Sequence, residues 1–173
     1  MEIHFRNKTV VITGAAGGLG SVMAERFAKQ GASVVLCDYS ERVTEEAEAL
    51  QKQGLSAVGM AFDVTDLEAV EEAMKKIKDR FGVIDVLVNN AGINVGPEQR
   101  QTVENFSDEW WDKIQAVDLK GVYHCSKAVI PLMNPEGASI VNISSIVGIV
   151  PLRNQCSFAA AKAGVIQLSK AMA

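Results

Sequence analysis

The sequence predicts an α/β domain built as a doubly wound parallel sheet in three layers. Three observations predict it. Short runs rich in β-branched residues alternate with amphipathic helical stretches along the whole chain. Several of those runs are nearly continuous in apolar residues, as in strands buried on both faces. The first run enters a glycine-rich turn that opens a helix, the start of a strand–helix–strand unit with right-handed crossovers.

Each element follows in order. KTVVIT (8–13) reads as a buried strand, and residues 19–30 as a helix capped by Gly31. SVVLCD (33–38) is the second strand, and ERVTEEAEALQKQ is the second helix, closed by Gly54. Its acidic residues read as a solvated face. SAVGMAFD (56–63) is the third strand, followed by the helix LEAVEEAMKKIKDRF and its stop, Gly82. IDVLVNN (84–90) is the fourth strand. After the loop INVGPEQRQ, one long helix is expected over 107–133, with one of Trp110 and Trp111 in the core and the other near the substrate loop or an interface. ASIVNIS (138–144) is the fifth strand, and a last helix starts near Ser157. That helix meets no glycine, proline or cap before Ala173. Residues 1–173 are therefore expected to form one domain of a longer natural chain.

The chain of 173 residues is long enough to bury a substantial core, and 48% hydrophobic with 22% charged residues is a globular balance. Net charge is −4 with no basic run, which argues against nucleic acid or anionic membrane as a partner. No apolar stretch reaches the roughly 20 residues of a membrane span, and the N-terminus lacks a signal-peptide layout. Cys37, Cys125 and Cys156 are scattered and odd in number. They fit a reducing cytoplasm better than a disulfide framework or a zinc site. His4 and His124 have no partnering cluster, so no metal site is expected.

The chemistry begins at TGAAGGLG (13–20). Gly14, Gly18 and Gly20 permit a tight turn and close backbone approach. The helix opening at Leu19 offers its amides to a pyrophosphate. The spacing is G-x-x-x-G-x-G rather than G-x-G-x-x-G, and an ordinary glycine-rich turn is the alternative. Asp38 ends the second strand where a carboxylate can accept hydrogen bonds from an adenosine ribose. It would repel a 2′-phosphate, which favours NAD over NADP, although Arg42 lies one turn on. Its other reading is a helix N-cap. Asp63 can accept from an adenine amino group, or serve as a cap or turn residue.

TGAAGGLG, Asp38, Asp63-Val64, NNAG (89–92), NISS (142–145) and F-x-x-x-K (158–162) together resemble the short-chain dehydrogenase/reductase family of classical type, in its order and spacing. The resemblance implies a Rossmann-like domain that binds NAD or NADP and oxidises alcohols or reduces carbonyls. It places the substrate-orienting serine at Ser145, with Ser144 a structural neighbour, and the catalytic lysine, which also contacts the nicotinamide ribose, at Lys162. Asn90, Ala91 and Gly92 match the motif that lines the cofactor pocket. Asp118, in VDLKG, stands where the family usually has the asparagine of a proton relay. Phe158 stands at the position of the general acid/base tyrosine. The long helix and the last helix are the surfaces through which family members form dimers or tetramers.

Phe158 keeps a ring and removes the hydroxyl. General acid/base catalysis contributes about 10²–10⁴-fold, so at least that loss is expected. Phe158 is open to three origins: a deliberate change from tyrosine, a natural member that uses another acid or is silent, or a core aromatic with the site elsewhere. The kept positions of Ser145 and Lys162 argue against the last. The expected function is an NAD-dependent oxidoreductase of a secondary alcohol or sugar-like ketone, impaired in this form. The loop from Ile93 loosely resembles sugar-alcohol and sugar-acid dehydrogenases of the family. The alternatives are a silent dinucleotide-binding protein and a methyltransferase, and NNAG with the S…F-x-x-x-K spacing argues against the latter.

Overall fold

The computed structural model describes residues 4–173; the first three residues of the expected 1–173 domain lie outside them. Five parallel strands form one sheet: β1 (Thr9–Thr13), β2 (Ser33–Asp38), β3 (Ala57–Ala61), β4 (Val86–Asn89) and β5 (Ser139–Asn142), in the spatial order β3-β2-β1-β4-β5. The chain winds outward from β1 to β3 and then crosses to the other side of β1 at β4. That reversal opens a crevice at the carboxyl ends of β1 and β4, the place where such sheets bind ligands.

The layers follow from the side-chain alternation of the strands. Val10, Ile12, Val34, Leu36 and Val88 point to one face and pack against α1 (Gly18–Lys29) and α2 (Arg42–Gln51) through Ala24, Ala28, Val43, Ala47 and Leu50. Val11, Val35, Cys37 and Leu87 point to the other, against Val70, Met74 and Ile77 of α3 (Leu67–Phe81). On that same face Cys125 and Val129 come from a helix later in the chain. Both faces of β1 are covered, and Val10, Val11 and Ile12 are fully buried, each contributing about 1.5–3 kcal/mol of burial.

The expected single helix over 107–133 is interrupted. Ser107 caps α4 (Asp108–Gln115), its hydroxyl accepting from the Trp110 amide. A π-helical turn at Ala116–Lys120 follows, then α5 (Gly121–Val129). Pro131 has no N–H to continue α5, and a tighter turn at Ile130–Leu132 ends it. Trp110 packs in a small cluster with Phe158, while Trp111 is half-exposed. Helix α6 (Cys156–Met172) begins one residue before the expected start and packs against α4 and the π turn. Of the two histidines, His4 is exposed and His124 is buried with Nδ1 on the Val64 carbonyl. No helix among the described residues is long and apolar enough to cross a membrane.

Candidate active site

The carboxyl edge of the sheet is organised by a polar clamp. Thr13, at the end of β1, is buried, and its hydroxyl oxygen accepts from the backbone amides of Asn90 at 3.0 Å and Ala91 at 3.1 Å. Asn90 returns the contact, its Nδ2 donating to the carbonyls of Thr13 and Gly14 at 3.0 Å each. The glycine turn is thereby held against the end of β4.

The turn needs its glycines for two reasons. Gly14 has φ +65°, and a Cβ there would lie 2.8 Å from the Ala91 Cα. Gly20, on the first turn of α1, sits against the Gly14 carbonyl with no room for a side chain. Gly20 therefore packs the turn, whereas Gly14, Gly18 and Leu19 line the crevice. The crevice has a volume of about 790 Å³ and is completed by Asp38, Asp63, Val64, Asn90, Ala91 and Gly92. Nine of the expected positions thus line one crevice and Gly20 lies beside it, and the Cβ positions of Gly17 and Gly18, at the N-terminus of α1, face open space, as an anion approaching the helix amides would require.

Asp38 is not the N-cap of α2; that position is Glu41, whose side chain makes no cap bond. The Asp38 carboxylate instead accepts from the Ala16 amide in the glycine turn and the Ser40 amide, both at 3.0 Å. It ties β2 to the turn and keeps lone pairs for a ligand. Asp63 accepts from the Thr65 amide at 2.8 Å in a turn, and Asp66 takes the cap of α3. The crevice is also lined by Tyr39, Arg42, Thr65, Ile93 and Lys113. Of these only Arg42 was expected. Tyr39 could have been found as the side chain following the edge carboxylate; Lys113 comes from α4 and carries no local signal.

The second group of residues meets under Gly92. The Lys162 ammonium lies 3.0 Å from Asp118 Oδ2 and 3.2 Å from the Ile143 carbonyl, with side-chain exposures of 6% for the lysine and 0% for the aspartate. Asp118 Oδ1 accepts from the Ile93 amide at 2.7 Å. Burial raises the Asp118 carboxyl above its ordinary value, and the adjacent ammonium opposes that rise. The Phe158 ring centroid is 5.6 Å from the same ammonium, as the four-residue helical spacing requires. Gly92 joins the two groups: a Cβ there would lie 2.9 Å from Asp118 Oδ2 and 3.3 Å from Lys162 Nζ.

Ser145 follows β5 and caps a short turn at Ile146–Gly148, its hydroxyl oxygen accepting from the Val147 amide at 3.2 Å. Ser144 donates to the Lys162 carbonyl at 2.8 Å, in keeping with a structural role. Asn89 and Asn142, paired across β4 and β5, bond at 2.8 Å and continue to Ser126 on α5 and Ser169 on α6. This ladder fixes α6, and Lys162 with it, to the sheet.

Residues 8–173 match the family described as short chain dehydrogenase. The uncharacterized oxidoreductase YxbG of Bacillus subtilis is 42% identical over 171 residues, covering 98% of this chain and 62% of that protein. The meso-2,3-butanediol dehydrogenase of Serratia marcescens is 38% identical, covering 99% of this chain and 66% of that protein. The chain therefore spans just under two thirds of the length of these curated relatives. Among solved structures, a NAD+-bound xylitol dehydrogenase superposes with a TM-score of 0.92 at 28% identity, covering 98% of this chain and 65% of that one. A short chain dehydrogenase from Mycobacterium smegmatis gives 0.91 at 36% identity, with coverages of 100% and 74%.

Proposed function

Because the chain belongs to the short-chain dehydrogenase family, we propose that it is the nucleotide-binding domain of an NAD(H)-dependent oxidoreductase that interconverts a secondary alcohol and a ketone. The observation that carries the reading is convergence. The glycine turn, Asp38, Asp63 and Asn90–Gly92 come from four different strand ends and line one crevice at the reversal point of the sheet. A relative named for butanediol and a structural neighbour named for xylitol support a hydroxylated small molecule as substrate.

In this reading a bound nicotinamide supplies or takes up the hydride. The amides at the start of α1 hold the pyrophosphate. Asp38 accepts from the adenosine ribose and disfavours a 2′-phosphate, so NAD is preferred to NADP. Val64 and Asp63 border the adenine, and Lys162 borders the nicotinamide ribose. Ser145 orients the substrate oxygen with its hydroxyl hydrogen, because its oxygen is already an acceptor for Val147. Phe158 has no proton to give, so turnover is about 10²–10⁴-fold below that of a chain with a hydroxyl there.

That ring favours a second reading, a catalytically silent dinucleotide-binding protein. Calorimetry tests both readings: NADH is expected to bind, more tightly than NADPH, and absence of binding overturns both. Turnover of the Phe158→Tyr variant on a panel of vicinal diols and ketones then selects the oxidoreductase; NADH binding without turnover selects the silent protein. Association into dimers or tetramers, through the helical segment over 107–133, where Trp111, Tyr123 and Ile130 are exposed, and through the last helix, is read by light scattering. The three free thiols support a cytoplasmic setting.

A further inference from the structure

We propose that Asp118 acts as a positioning residue that neutralises Lys162, so that the lysine offers almost no net charge to a group at position 158. The inference rests on the reading above and adds a second reason for low activity, independent of the missing hydroxyl. The ammonium and carboxylate are 3.0 Å apart, and both side chains are almost entirely withdrawn from solvent. Asp118 cannot swing away, because its other oxygen is fixed to the Ile93 amide at 2.7 Å. The ammonium is equally held, between Asp118 and the Ile143 carbonyl. Gly92 leaves the space in which the pair sits.

A lone cation about 4–6 Å away favours an ionised phenol and lowers its pKa by about one to three pH units. An ion pair at the same distance presents a dipole instead, and its two contributions largely cancel. The charged group against the 158 ring is Lys162 from its own helix, 5.6 Å from the centroid, and Asp118 from the π turn is paired with that ammonium; Lys120 of the same turn is exposed. Helix α4, also packed on α6, carries Asp108, Glu109, Asp112 and Lys113, all exposed, with Glu109 and Lys113 paired at 2.6 Å. Arg153, in the loop before α6, is exposed as well. Solvent screens these groups, and the buried pair dominates the field at the ring.

The test is spectroscopic titration of an added phenol. Phe158→Tyr, and the same change combined with Asp118→Asn, are compared with the parent to subtract Tyr39 and Tyr123. In the single variant the new phenol is expected at or above about 10, the ordinary value. With Asp118→Asn added it falls by about one to three pH units. Asp118→Ser is a second neutral partner should the asparagine variant not fold. A single variant whose phenol already titrates well below the ordinary value overturns the proposal, whatever the double variants do. So does a double variant that titrates with the single one. The titration is made without cofactor; absence of NADH binding would remove the proposed function and leave the charge pairing to be judged by the titration.

Discussion

Thr13 and Asn90 are bonded reciprocally: the threonine hydroxyl accepts the Asn90 amide at 3.0 Å, and the Asn90 side chain donates back to the Thr13 carbonyl at 3.0 Å. Thr13 ends β1 and Asn90 directly follows β4, adjacent parallel strands between which the winding of the chain reverses. Neither needs to touch a ligand to shape the site, since together they set where the glycine turn stands relative to Gly92.

Thr13→Val keeps the shape and removes the acceptor of two amides at the sheet edge. Leaving such donors unsatisfied costs about 1–3 kcal/mol. Asn90→Ala removes the return bonds at a similar cost. Because both act on one clamp, the double variant is expected to lose less than the sum of the two. Thermal unfolding of the four proteins measures this coupling; strict additivity would mean that the clamp is not a unit.

The glycines of the turn divide into two kinds. Gly17 has φ 167°, extended backbone that any residue adopts, and open space around its Cβ position. Gly20 has the Gly14 carbonyl and Ala15 Cα in that position. Gly17→Ala is therefore expected to leave the melting temperature unchanged and to weaken NADH binding, because its methyl group enters the crevice it lines. Gly20→Ala is expected to lower the melting temperature by several degrees. Reversal of that order, read by scanning calorimetry and fluorescence titration, would contradict the packing described.

Most of the frame was legible because its signals are local. The apolar run SVVLCD is β2 to the residue, and LEAVEEAMKKIKDRF is α3 to the residue. Gly31, Gly54 and Gly82 all take positive φ at the helix ends where they were expected. The helical spacing of Phe158 and Lys162 correctly placed the ring beside the ammonium. What escaped is non-local. No glycine or proline within 116–120 marks the π turn, and a helical period cannot register one inserted residue. The role of Thr13 depends on β4 lying beside β1, and the pairing of Asp118 with Lys162 on how α6 docks across the π turn. Sequence alone read Asp118 as an altered relay residue and had no means of seeing its partner.

Acid should probe a different buried carboxylate. Asp85, with a side-chain exposure of 4%, accepts from the Thr9 amide, Asn134 Nδ2 and Lys8 Nζ, each at 2.9 Å. Burial works to raise its carboxyl, but the bonds from Asn134, Thr9 and Lys8 prevail and hold it below the ordinary value. A carboxylate lowered in the fold adds stability that is complete above its unfolded value of about 3.9 and is lost as pH falls through that value towards the folded one. Asp85→Asn is expected to flatten the stability profile below about pH 4 while lowering stability near neutrality. Urea unfolding at a series of pH values measures both, and an unchanged acid slope would show that Asp85 is not the group responsible.

Asp38 offers the sharpest separation of structural from ligand roles. Its carboxylate holds the Ala16 and Ser40 amides, and in the proposed function it also receives the adenosine ribose. Asp38→Asn keeps one acceptor oxygen and removes the charge. Hydrogen bonds to charged groups are worth about 1.5–3 kcal/mol, so NADH affinity is expected to fall about ten- to a hundredfold. The same change removes the repulsion of a 2′-phosphate and leaves Arg42 in the crevice, so NADPH is expected to lose less, or to gain. Asp38→Ala gives up both turn bonds and is expected to lower the melting temperature as well as both affinities. Parallel fluorescence titrations with the two nucleotides measure the ratio. An Asp38→Asn protein that keeps the parent's preference for NADH would place the ribose away from this carboxylate and remove the reason for choosing NAD.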